Sequence, residues 1–241
     1  NVYSGPWENK SGSRIIHGTK SVDNDECAIL AHAAEAEAQG GKASPLDSST
    51  CSHGGCIVLK GQIDKKLNWL YQRSLHGVDW EVHSVTPNMD NDVWLVIGAT
   101  GVHAPTSRQV AKLAKLLEDN PDRMAEIETI GIIAKRGLDA LLSGDVYAVG
   151  RAMSENHLIL RNLGLSCPEL ETLISAAAPT SLGVKLTGAG GGGCMIALTK
   201  NPKATSEAIE LAGGRTMISR FGSAGLSIEN SEDCPLWNVP E

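Results

Sequence analysis

Apolar residues recur every three or four positions from residue 24 to about 39, and this spacing predicts a helix. Asp23-Asn24-Asp25 caps it, alanines fill it, and Gly40-Gly41 ends it. Cys56-Ile-Val-Leu59 and Val93-Trp-Leu-Val-Ile97 read as buried strands, with two more strands between residues 61 and 90. Helical periods then dominate. One helix covers about 107–117, with Val110, Leu113 and Leu117 on its apolar side. Others cover about 121–142, 145–163 and 168–177, and the second of these stops at Gly164. Residues 184–186 end one strand and 194–198 begin another. A helix at about 203–212 and strands near 216–220 and 225–229 close the pattern. Strands and helices segregate in the second half, which predicts an α+β lobe. Residues 1–23 and 230–241 show no period and read as irregular arm and tail.

Between the strands ending at 186 and beginning at 194 lies the most informative stretch, Lys185-Leu-Thr-Gly-Ala-Gly-Gly-Gly-Gly-Cys-Met-Ile-Ala-Leu198. Its glycines bring no packing and cost backbone entropy. They permit positive φ and let amides approach a phosphate or another backbone segment closely. Strand-like flanks argue against a linker. No Gly-Lys-Ser/Thr follows, so this is not a Walker loop, and a strand rather than a helix comes next, so it is not a dinucleotide fingerprint.

Composition narrows the classes. The 241 residues carry 41% hydrophobic and 20% charged side chains, ordinary for a soluble chain with room for two lobes. A net charge of −7 argues against nucleic acid as a partner. No apolar run approaches a membrane span, and no signal-like segment opens the chain. The cysteines lack paired spacing, and the histidines lack ligand spacing such as HExxH; both argue against a zinc site, and the free thiols fit a reducing cytoplasm. The loop Ala43-Ser-Pro-Leu-Asp47-Ser-Ser-Thr precedes the first strand. Taken alone, Asp47 is as readily a helix N-cap as a functional carboxylate.

Four blocks in order change that balance. They are Ala31-His-Ala-Ala-Glu-Ala-Glu-Ala-Gln-Gly40 with Ala43-Ser-Pro-Leu-Asp-Ser-Ser49 and Gly54-Gly55; Val96-Ile-Gly-Ala-Thr-Gly-Val102 with Thr106; Gly150-Arg-Ala-Met-Ser-Glu-Asn-His157 with Leu163-Gly-Leu-Ser166; and the 185–198 stretch. Over residues 24–229 the chain resembles the mevalonate kinases of archaeal-like type in the GHMP kinase superfamily. That resemblance implies a two-lobed α+β fold. Residues 1–102 would be the remnant of an incomplete N-terminal lobe, 103–230 a ferredoxin-like C-terminal lobe, and 231–241 a tail. It implies Asp47 as the catalytic carboxylate and Glu35 as the Mg²⁺ ligand, with Glu37 as the less favoured substitute. It implies Thr106 on the substrate side, and Gly188, Ala189, Gly190, Gly191 and Gly192 at the phosphates of ATP. The implied activity is ATP- and Mg²⁺-dependent phosphorylation of mevalonate to 5-phosphomevalonate by a cytoplasmic enzyme without nucleic-acid or membrane partners, often as a homodimer. The family's first two motifs are absent: a lysine strand with a Glu-His pair, and the Pro-x-Gly-Leu-Gly-Ser-Ser-Ala phosphate loop. A chain that opens on Asn1 without them is expected to be a fragment impaired in catalysis. A phosphomevalonate kinase and a non-catalytic relic that binds ligand or a partner stay open as alternatives.

Overall fold

Asp23 opens the first described element as its sequence predicts. In the computed structural model, which describes residues 23–41, 43–90 and 92–227, its Oδ1 accepts from the amides of Asp25 (2.9 Å) and Glu26 (3.3 Å). Such a cap contributes about 1 kcal/mol. Helix α1 (Asn24–Ala38) then runs to Gln39, and Gly40 and Gly41 turn the chain out with φ of 63° and 80°. Its buried stripe is Ala28, His32 and Ala36, spaced by four as a helix face requires. Helix α2 (Leu46–His53) packs beside it.

Three strands follow: β1 (Cys56–Lys60), β2 (Asn68–Leu75) and β3 (Val78–Val85), in the antiparallel order β1-β3-β2. His76 and Gly77 form the two-residue hairpin turn, both at positive φ, as the right-handed strand twist favours. Ala28, Tyr71 and Val82 form the core, flanked by Ile29, Ile57, Leu59 and Leu70. These elements, with the residues from Gly222 onward, make one unit. The strand expected near 225–229 is corrected. Ala224 makes a single bridge to Gly54, the Leu226 amide donates to Ser52 O, and residues 225–227 are not a strand. The segment meets a helix end, which offers no ladder; residues 228 and 229 lie outside the described residues, as do 1–22 and 230–241.

Thr86–Phe221 make the second unit. Its elements are β4 (Trp94–Ala99), α3 (Thr106–Asp119), a short 3-10 turn (Pro121–Arg123), α4 (Met124–Ser143), α5 (Val146–Asn162), α6 (Pro168–Ala177), β5 (Gly183–Thr187), β6 (Cys194–Thr199), α7 (Pro202–Leu211) and β7 (Arg215–Ser219). The sheet is antiparallel throughout, in the order β5-β6-β4-β7. Counted within the unit, that is 2-3-1-4 with helices in both crossovers, the split β-α-β arrangement of a ferredoxin-like layer. Strand β4 is hydrogen-bonded between β6 and β7. It therefore belongs to this sheet and not with residues 1–102, where its position in the sequence had put it.

The core lies between the sheet and helices α6 and α7: Val96, Leu170, Leu173, Ile174, Val184, Leu186, Met195 and Ile209. Helix α3 is the exception. Its apolar stripe is pronounced, yet none of its residues is fully buried, and Val110 stays 40% exposed. No helix among the described residues is long and apolar enough to cross a membrane.

Candidate active site

In the first unit the carboxylates of interest lie on two packed helices. Asp47 is not a cap. Pro45 holds the N-cap position of α2, and Asp47 stands exposed in the first turn, where the helix dipole favours a negative charge. Its carboxylate makes no hydrogen bond or ion pair among the described residues. Next to it Ser48 and Ser49 are buried. Ser49 Oγ bonds Pro45 O and stands 2.8 Å from Tyr71 OH, which ties the start of α2 to the sheet. Burial pushes the Tyr71 hydroxyl above its ordinary value, with the Ser49 bond opposing.

Glu35 is half-buried near the end of α1, and its Oε1 accepts from Gln39 Nε2 at 3.0 Å; Glu37 is exposed. On the same helix, three residues before Glu35, His32 is fully buried. Its Nδ1 accepts from Arg73 Nε at 2.9 Å, and its Nε2 lies 3.0 Å from Ala43 O. Since an Arg N–H can only donate, Nδ1 must be unprotonated and Nε2 carries the proton. A neutral imidazole thus pins the helix of Glu35 to the segment that leads to Asp47. At the far end of α2, His53 Nε2 stands 3.0 Å from Asp25 Oδ1. Burial pushes the Asp25 carboxyl up, and His53 pulls it back.

In the second unit residues 188–193 are the turn between β5 and β6. Gly188, Gly190, Gly191 and Gly193 have φ between 73° and 81°, and Gly192 has φ 152°. Both reasons given for the glycines from the sequence operate, at different positions. Gly190 has no room for a side chain: a Cβ there would sit 2.0 Å from Leu165 O. The Gly191 amide donates to that same carbonyl at 2.8 Å, and the Gly193 amide to Val102 O at 2.8 Å. Thr100 closes the other side, its amide and Oγ1 both 2.9 Å from Gly193 O. The loop is therefore strapped to the segments after α5 and after β4. The amides of Gly188, Ala189, Gly190 and Gly192 make no hydrogen bond among the described residues, and a Cβ at Gly188 would meet open space. Gly188 is exposed and Ala189 half-buried, whereas Gly190 and Gly192 are buried, so the first two amides are the ones open to an anion.

Thr106 begins α3, exposed, just after the segment that binds the loop. Three residues on, Gln109 lies so close to Gly191 that a Cβ there would stand 2.2 Å from Nε2. The structure thus gathers Thr106 and the glycine loop within the second unit, and Glu35 and Asp47 within the first.

The sequence reading missed the part played by α5. Strand β5 lies at the edge of its sheet, and α5 runs along that edge. Gly150 and Gly183 pass in backbone contact: a Cβ on Gly183 would be 1.9 Å from Gly150 O. Val184 N–H donates to Ser154 Oγ (3.2 Å), and Leu186 N–H to His157 Nδ1 (3.4 Å). His157 Nε2 faces Glu171 Oε1 at 3.1 Å, poorly aligned for a hydrogen bond. Burial holds the His157 imidazole below the ordinary histidine value, with Glu171 opposing. Burial likewise lowers the Lys185 ammonium.

Comparison with known proteins agrees with this architecture. Residues 138–213 match the family model described as GHMP kinases C terminal. The crystal structure of the Methanococcus jannaschii mevalonate kinase superposes with a TM-score of 0.60 at 25% identity, covering 85% of this chain and 58% of that one. The fold, α+β with two antiparallel sheets, is that of the GHMP kinases. The mevalonate kinase of Pyrococcus furiosus is 32% identical over 217 residues, and that of Thermococcus onnurineus 34% over 219. Each alignment takes in 86% of this chain and 58% of the relative, so the chain spans little more than half the length of either. Along most of its length the chain is similar to the mevalonate kinases of the GHMP kinase superfamily.

Proposed function

We propose that this chain carries the catalytic carboxylate and the glycine loop of an ATP-dependent kinase that phosphorylates the primary hydroxyl of mevalonate to 5-phosphomevalonate. The observation that carries the reading is Asp47: exposed, free of a capping role, and set on a segment braced by a fully buried histidine. The two relatives at 32% and 34% identity, both mevalonate kinases, supply the substrate class.

Phosphoryl transfer asks the protein mainly to position groups and stabilise charge. When bound, MgATP supplies the transferred group, and the metal spreads its charge. The residues present fit both parts. Mg²⁺ needs only one or two protein carboxylates beside phosphates and water. Glu35 offers one, with Oε2 uncommitted, and no group of three or more candidate ligands occurs among the described residues. The unbonded, accessible amides of Gly188 and Ala189 suit phosphate oxygens, with Gly190, Gly191 and Gly192 shaping the loop that presents them. In this reading Asp47 orients the substrate hydroxyl and takes its proton, Glu35 holds the metal, and Thr106 offers a hydroxyl to the substrate.

The test is ADP release by the 241-residue chain with MgATP and either mevalonate or phosphomevalonate, with Asp47→Ala as control. Turnover with mevalonate that falls about a thousandfold in the control is expected. Preference for phosphomevalonate, or turnover untouched by the substitution, would overturn the reading.

A further inference from the structure

The edge of a sheet exposes amides that seek partners. At β5 those partners are two side chains of α5, Ser154 for the Val184 amide and His157 for the Leu186 amide, with Gly150 one turn before them allowing the close approach. Leu186 is the last buried residue of β5, and Gly188 begins the loop two residues later. The same helix leads through Leu163 and Gly164 to Leu165, whose carbonyl takes the Gly191 amide. One helix thus fixes the entry to the glycine loop and, through its terminal turn, the loop's middle.

We propose that His157 is a positioning residue for the glycine loop: it accepts the Leu186 amide on an unprotonated Nδ1 and so sets where strand β5 delivers residues 188–193. An acceptor at Nδ1 requires the neutral ring with its proton on Nε2. The charged groups around the ring sort accordingly. Glu171 on α6 faces Nε2. Arg161, on α5, and Lys185, on β5, both disfavour a second proton on the ring. Glu171 is itself held by Ser166 Oγ at 2.5 Å and lies 3.6 Å from Arg161, so its charge is shared. His157 touches none of the reacting groups; it acts through β5. The consequence for nucleotide binding rests on the kinase reading above, whereas the brace itself does not.

The experiment is hydrogen exchange by mass spectrometry on the whole chain, comparing His157→Asn with His157→Gln. Asn keeps an acceptor at the Nδ1 position; Gln moves it to the Nε2 end. The expected result is exchange over residues 183–193 about tenfold faster in the Gln variant and within about threefold of wild type in the Asn variant. Strand β4, bonded on both sides, should stay unchanged in each. As pH falls below the ordinary histidine value of 6.5, wild type should loosen over 183–193 beyond the intrinsic rate change, and the Asn variant should not. Equal exchange in the two variants, or acceleration spread over the whole second unit in both, would overturn the proposal. Should the Gln variant not fold, Ser154→Ala removes only the Val184 acceptor, and its acceleration must stay within β5 and the loop. MgADP titration separates the two claims: a wild-type chain that fails to bind it removes the kinase reading, while the exchange result still decides the brace.

Discussion

The two units hold their site residues by the same device, applied to different backbone. In the first, His32 uses a neutral ring to tie a helix to the turn that leads to Asp47. In the second, His157 uses a neutral ring to tie a helix to a strand edge before the glycine loop. His32 has both nitrogens well bonded, at 2.9 and 3.0 Å, whereas His157 has one long bond of 3.4 Å and a poorly aligned neighbour. The first brace is therefore the tighter one. The second, with its longer bond, holds its strand edge less firmly.

That contrast can be broken at several strengths. The largest effect is expected at the contact that lets α5 reach β5. Gly183→Val would drive a Cβ to 1.9 Å from Gly150 O and should cost 3 kcal/mol or more, about enough to unfold the second unit in a urea titration. His32→Leu should cost about 2–3 kcal/mol, because Ala43 O loses its donor and the Arg73 guanidinium its acceptor. Next comes a pH effect. Burial lowers His157 in the folded state, so the unfolded chain binds that proton more readily. The stability it lends is full above the unfolded value and declines as pH falls through the folded one. Melts at pH 5 and pH 7 should show a larger acid loss in wild type than in His157→Asn. The smallest effect is a gain: Gly131→Ala, on an exposed stretch of α4 where a Cβ meets nothing within 4 Å, should add about 0.5–1 kcal/mol.

Much of this was legible in the chain. Asp23, Pro168 and Gly164 mark helix ends because capping is local chemistry, and the structure keeps them within a residue or two. The β5–β6 turn could be read from its strand-like flanks, and its glycines from their cost. Three things could not be read. The placement of β4 in the second sheet is a long-range pairing that no local signal encodes. The apolar stripe of α3 promises burial that the fold does not supply. Two of the three histidines buried among the described residues, His32 and His157, show no metal spacing, yet a cue to their role is present. His32 falls on the stripe Ala28–His32–Ala36, and His157 on the face of Gly150 and Ser154. A histidine flanked by small residues at helical spacing faces a neighbour's backbone closely, and that pattern points to a brace.

The central proposal is that Asp47 and Glu35 would supply proton and metal chemistry and that the glycine loop would hold phosphates. The most direct test is MgATP titration of the Asp47→Asn chain beside wild type, with mevalonate-dependent ADP release recorded on the same samples. The account predicts dissociation constants within about threefold of each other and turnover lowered by about a thousandfold. Turnover retained within tenfold, or nucleotide affinity lost together with turnover, would contradict it.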